Sequence, residues 1–140
     1  MPRVTQAGSR ADFAARLASV PFFQGLGAPE LDRLAAGAEW RAYAPGEVIF
    51  LEGDPAPGLF ILDSGYVKVV KASAHGREQS LEFIAPGQPF NTVAVFTSYA
   101  NPATAIALEP SSAWMLPRAP VTALLRENPA TRHIPIIAVT

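Results

Sequence analysis

Apolar residues in the first 37 positions recur at helical spacing. Phe13, Leu17 and Val20 form one stripe behind Ser9, a residue type that caps a first turn, with Asp12 three residues on. Pro21 ends that segment. Pro29 sits where a first helical turn tolerates proline, Leu31, Leu34 and Ala35 give a second stripe, and Gly37 is a stop signal. Beyond Gly37 the texture shortens. Turn signals fall at Pro45-Gly46, Gly53-Asp54-Pro55, Pro57-Gly58, Ser64-Gly65, His75-Gly76 and Pro86-Gly87, with Gly65, Gly76 and Gly87 evenly spaced. Between them lie β-forming runs at 47–51, 59–62, 66–70 and 79–84, then 104–108 and 113–116. Short strands at this spacing predict a sandwich or barrel, a mainly β fold.

Two finer readings follow from the same pattern. Ser80, Leu81, Glu82 and Phe83 alternate, which predicts a strand with a wet face and a buried face. Val48-Ile49-Phe50-Leu51 is continuously apolar, which predicts burial on both faces or under a helix or partner. After the strands, Pro120, Val121, Leu124 and Leu125 predict a short helix. Asn128-Pro129 is a cap followed by a first-turn proline, and Pro135 would kink or stop the next helix. The chain ends at the apolar run 136–140, which leaves two readings open: a piece of a longer chain, or a tail packed on its own barrel. The division predicted is one domain over 1–140, with N-terminal helices at 1–37, a β-roll at 38–116 and a helical segment at 117–140.

Composition narrows the function more than the fold. The 140 residues are 49% hydrophobic and 16% charged, far from a disordered chain. Net charge is −1, from 11 basic and 12 acidic residues, which is poor for nucleic-acid contact by this chain. There is no cysteine, so disulfides, thiolate metal ligation and a cysteine nucleophile are excluded. That fits a reducing compartment, and the cytoplasm is the expected location. No apolar run is long enough to span a membrane, and Arg3, Arg10, Asp12 and Arg16 interrupt any signal core.

Catalytic chemistry lacks positive signals. The two histidines, His75 and His133, have no partner at metal-ligand spacing, although a haem axial ligand needs no local motif and haem stays a candidate cofactor. Gly53 to Gly58 has the glycine spacing of a phosphate loop, but Leu59 and Phe60 stand where Lys and Ser/Thr are required. No Gly-x-Ser-x-Gly elbow occurs. Glu47, Glu52, Asp54, Asp63, Glu78 and Glu82 are scattered, and none marks a dyad. The chain reads as no enzyme.

Several runs carry a family likeness. Pro21-Phe22-Phe23-Gln24-Gly25-Leu26, the stretch from Tyr43 to Asp54, the hairpin from Leu59 to Val69, Gly76-Arg77-Glu78, Pro86-Gly87-Gln88-Pro89-Phe90 and Asn128-Pro129 together resemble the sensor domain of the bacterial CRP/FNR regulators. The resemblance implies an eight-stranded antiparallel β-roll of the jelly-roll, cyclic-nucleotide-binding type with flanking helices. It implies a cytoplasmic transcription regulator that is a homodimer at full length. DNA would be bound only through a helix-turn-helix domain that this chain does not include, and no membrane is involved.

The chain departs from the family at the ligand cassette. In cyclic-nucleotide binders of the family a Gly-Glu pair follows the aromatic residue and its glutamate holds the ribose 2′-hydroxyl. An Arg-Ser/Thr-Ala run then supplies an arginine to the cyclic phosphate. Here Asn91-Thr92-Val93 stands in the first place and Ala103-Thr104-Ala105 in the second. The expectation is a degenerate cassette of Asn91, Thr92, Val93, Ala103, Thr104 and Ala105. Its pocket would be lined apolarly by Val93, Val95, Ala103 and Ala105, and Asn91 would cap a short helical turn over 92–96. Losing two contacts to charged groups, each worth about 1.5–3 kcal/mol, weakens binding by about 10²- to 10⁴-fold. Cyclic AMP is then a poor ligand, and another small-molecule effector takes its place. The readings kept beside this one are a cyclic-nucleotide site with displaced contacts, to which Arg77 or Lys68 would have to reach, and a small cupin-like metal protein.

Overall fold

The structure is a computed structural model and describes residues 10–73, 75–92 and 100–128. Helix α1 (Arg10–Leu17) leads through a 3-10 turn (Pro21–Phe23) to α2 (Ala28–Ala36). Eight strands follow: β1 (Glu39–Tyr43), β2 (Val48–Phe50), β3 (Gly58–Ser64), β4 (Val67–Ala72), β5 (Glu78–Ile84), β6 (Pro89–Phe90), β7 (Thr104–Ala107) and β8 (Ser111–Pro117). Helix α3 (Arg118–Glu127) completes the described chain. The helix ends obey their sequence signals. Glu30 Oε1 accepts the Gly27 N–H at 2.8 Å at the start of α2, proline lies in its first turn, and Gly37 ends it. The predicted Ser9 cap, the helix start at Pro129, the kink at Pro135 and the tail 136–140 lie outside the described residues.

The strands form two four-stranded antiparallel sheets, ordered β1-β8-β3-β6 and β2-β7-β4-β5. This is the mainly β, eight-stranded antiparallel roll. Strands β1 and β6 carry no run that the alternation could flag: β1 is mostly exposed and β6 has two residues. Gly65, Gly76 and Gly87 all sit at positive φ in turns. At Gly65 a side chain is excluded twice, because φ is 95° and a Cβ would press on the Ser111 backbone.

Two apolar clusters flank the first sheet. Inside the roll, Phe50, Phe60 and Phe90 form an aromatic triad with ring centroids 5.1 to 6.0 Å apart, packed with Leu62, Val67, Val69, Ile84 and the small Ala103, Ala105, Ala107 and Ala113. On the other side, Leu59, Ile61, Trp114 and Leu116 meet Phe13, Leu17, Leu31, Leu34, Val121 and Leu125 from the helices. Phe13 stacks on Trp114 at 4.5 Å. Asp63 ties the layers at the surface. It pairs with Arg16 at 3.2 Å and accepts from Trp40 Nε1 at 3.2 Å and from Ser112 Oγ at 3.0 Å.

Two burial expectations are corrected. The strand buried on both faces is β3, where Gly58 to Leu62 are all buried. Strand β2 is not: Val48 and Leu51 are 42% and 50% exposed, because β2 is an edge strand and no helix covers it. Strand β5 has no buried Leu81–Phe83 face. Both side chains are 51% exposed. Register explains this, since Val69 pairs with Glu82 and Lys68 with Phe83, so Glu82 shares the inner face with Val69 while Phe83 lies outward. Phe83 instead stacks on Tyr66 at 5.7 Å. No described helix is long and apolar enough to cross a membrane.

Candidate functional site

A cavity of about 240 Å³ opens between β2, β4, β5 and the segments flanking residues 93–99. Phe50, Val69, Leu81, Pro102 and Ala103 give it apolar walls, and Glu82, Asn91 and Thr92 supply its polar groups. Its only charged lining side chain among the described residues is Glu82. Residues 93–99, Val-Ala-Val-Phe-Thr-Ser-Tyr, contain no charge at all.

Asn91 is the most constrained of these residues. Its φ of 64° makes it the one non-glycine residue with positive φ in the described chain. Asparagine tolerates that region better than other side chains, which explains how it stands where the resembled family has glycine. Its Nδ2 donates to the Gly58 carbonyl at 3.1 Å and to Asn101 Oδ1 at 3.0 Å. Asn101 in turn donates from Nδ2 to the Leu51 carbonyl at 2.9 Å. Its backbone exchanges hydrogen bonds with Gly53 and Asp54, both at 2.9 Å. This chain of donors fixes the orientation of both amides. A flipped Asn91 would place its oxygen against two acceptors unless Asn101 flipped too, and that would oppose the Leu51 carbonyl. Asn91 Oδ1 is left buried with no hydrogen-bond partner.

Among the expected cassette residues, Asn91, Thr92 and Ala103 come together around the cavity. Thr104 and Ala105 do not line it. Strand β7 alternates, so Thr104 faces the other side of its sheet and its Oγ1 accepts the Glu52 N–H at 2.8 Å. Ala105 is fully buried in the core of the roll. Val93 and Val95 lie outside the described residues, as does all of the predicted turn over 92–96 except Thr92, whose backbone is helical. The capping role expected of Asn91 is also corrected, because its Oδ1 accepts from no N–H.

The cations weighed as substitutes sit elsewhere. Lys68 pairs with Glu78 at 2.8 Å, and Arg77 is exposed beside the β4–β5 turn. His75 is exposed in the same turn and gives the cavity no axial ligand for haem; His133 lies outside the described residues. Among the described residues no three His, Asp or Glu side chains gather as a metal site. Composition and spacing did not reveal Phe50, Val69, Leu81, Glu82 or Asn101 as site residues. The parity of β5 could have flagged Glu82, had its register with β4 been visible.

One carboxylate is tuned, though outside the cavity. Glu52 Oε1 accepts the Ala72 N–H at 3.1 Å and its Oε2 meets Lys71 at 3.3 Å. The backbone N–H foremost, with help from Lys71, holds its acidity below the ordinary glutamate range against a smaller desolvation effect.

Comparison with known proteins gives a consistent result. A family profile described as "Cyclic nucleotide-binding domain" matches residues 40–128. The Cyclic AMP receptor protein of Thermus thermophilus is 30% identical over 113 residues, covering 81% of this chain and 52% of that protein. The chain thus spans about half the length of that curated relative. Among solved structures, the sensor domain of the transcriptional regulator DNR from Pseudomonas aeruginosa superposes with a TM-score of 0.81 at 24% identity, over 89% of this chain and 85% of the other. The Thermus thermophilus catabolite activator protein gives a TM-score of 0.69 at 30% identity, over 81% and 53%.

Proposed function

The chain belongs to the cyclic nucleotide-binding domain family, with CRP/FNR regulators among its relatives, and on that premise we propose that it is the non-enzymatic, ligand-sensing domain of a CRP/FNR-type transcription regulator that no longer binds cyclic AMP tightly. In that role it works in the cytoplasm as part of a homodimer, and a separate domain of the longer protein contacts DNA. The signal is a small-molecule effector held in the cavity between β2, β4 and β5.

One observation carries the reading: the described cavity wall contains no lysine or arginine, and its single charge is the carboxylate of Glu82. A cyclic phosphate placed there would lose hydration, find no countercharge and meet a like charge. Thr92 and Ala103, the positions where the resemblance calls for glutamate and arginine, both line this wall. The frame is retained and its two charged contacts are missing.

Isothermal titration of cyclic AMP into the full chain and into the Thr92→Glu/Ala103→Arg double variant tests the proposal. The unmodified chain should bind no tighter than the high micromolar range, about 10²- to 10⁴-fold weaker than a site with both contacts. The double variant should gain at least about tenfold, because arginine restores a planar donor fork to the phosphate. Tight binding by the unmodified chain would overturn the proposal.

A further inference from the structure

We infer that this cavity takes a small amphiphile with an apolar body and a cationic N–H donor head, an aromatic amine in kind, and rejects anions. This rests on the reading of the cavity as the ligand site and names the chemistry that site would select.

The wall presents acceptors. Asn91 Oδ1 is buried and unpartnered, and the amide cannot turn its N–H₂ inward without breaking its bonds to Gly58 and Asn101. A buried acceptor without a partner is destabilising until something donates to it. Glu82 adds a second acceptor and the only charge among the described lining residues. Its place is set by pairing with Val69, a core residue of the inner face. The Thr92 hydroxyl can donate or accept and so does not oppose a donor head. An ammonium group can donate to Asn91 Oδ1 while lying near the Glu82 carboxylate. Phe50, Val69, Leu81, Pro102 and Ala103 then enclose an apolar body. About 240 Å³ suits one fused ring system with a short side chain.

The test is isothermal titration of the full chain, at low ionic strength, with tryptamine and indole-3-acetate, which share a ring and differ in the sign of the head. Tryptamine should bind at least about tenfold tighter, and added salt should narrow the gap. Glu82→Arg should reverse the preference. Asn91→Gly, which keeps the left-handed backbone accessible, should weaken tryptamine about three- to tenfold and leave indole-3-acetate unchanged. Equal or tighter binding of indole-3-acetate or cyclic AMP to the unmodified chain would sink the amine selectivity alone, as would a preference that survives Glu82→Arg. Failure of all three compounds to bind would overturn both this inference and the ligand-sensing role of the cavity.

Discussion

Asn101 is 3% exposed, yet both ends of its amide are used, one by Asn91 and one by the Leu51 carbonyl. Truncation would leave a buried donor and a buried acceptor unpaired. Asn101→Ala should therefore lower stability by about 1–3 kcal/mol in urea denaturation, with an unchanged value as the contrary outcome. Residues of this kind were poorly legible in the sequence. Thr92 and Ala103 could be placed because flanking motifs located them. Asn101 could not, since its carbonyl partner lies fifty residues away in the chain. Glu82 stood among six acidic residues with nothing to separate it, because a side chain's facing depends on a cross-strand partner that local spacing does not name.

At the level of elements, most strands were legible as runs between turns, while their facing was not. A register shift between Val69 and Val70 interrupts the β4–β5 ladder. Counting parity along β5 alone therefore assigns its faces wrongly. Edge position misled in the same way at β2, where an apolar run lies half in solvent. The loop after β2 is strapped to β4 by Glu52, which accepts from Ala72 and pairs with Lys71. Because this carboxylate is held below its ordinary value of 4.5, its ionised form favours the folded state. That contribution is present above the ordinary value and disappears as pH falls through the lowered one. Glu52→Gln should thus be less stable than the unmodified chain near neutral pH, and the gap should close on acidification. Denaturation curves taken between about pH 7 and pH 3 check this; a gap that stayed constant would show that the carboxylate charge is immaterial.

For the whole molecule, glycine and proline punctuation together with short apolar runs disclosed the roll, and the helices at either end followed from period and capping. The packing of those helices against the first sheet was not in the pattern, since it depends on that sheet burying both faces. Phe13 on Trp114 is the centre of that packing. Phe13→Ala should cost about 3–5 kcal/mol. Far-ultraviolet dichroism and tryptophan fluorescence should still report one shared transition, since β3 and β8 belong to both clusters. Two separated transitions would contradict that coupling. The double burial of β3 also has a consequence for how the protein can change over generations. Leu59 and Ile61 serve the helical layer, while Phe60 and Leu62 serve the roll. The cavity residues Phe50, Val69 and Ala103 belong to the roll alone. Substitutions that retune what the cavity accepts can therefore accumulate in one compartment while the helix-packing compartment keeps its shape. A lineage can exchange its chemical signal without rebuilding the surface through which that signal is read.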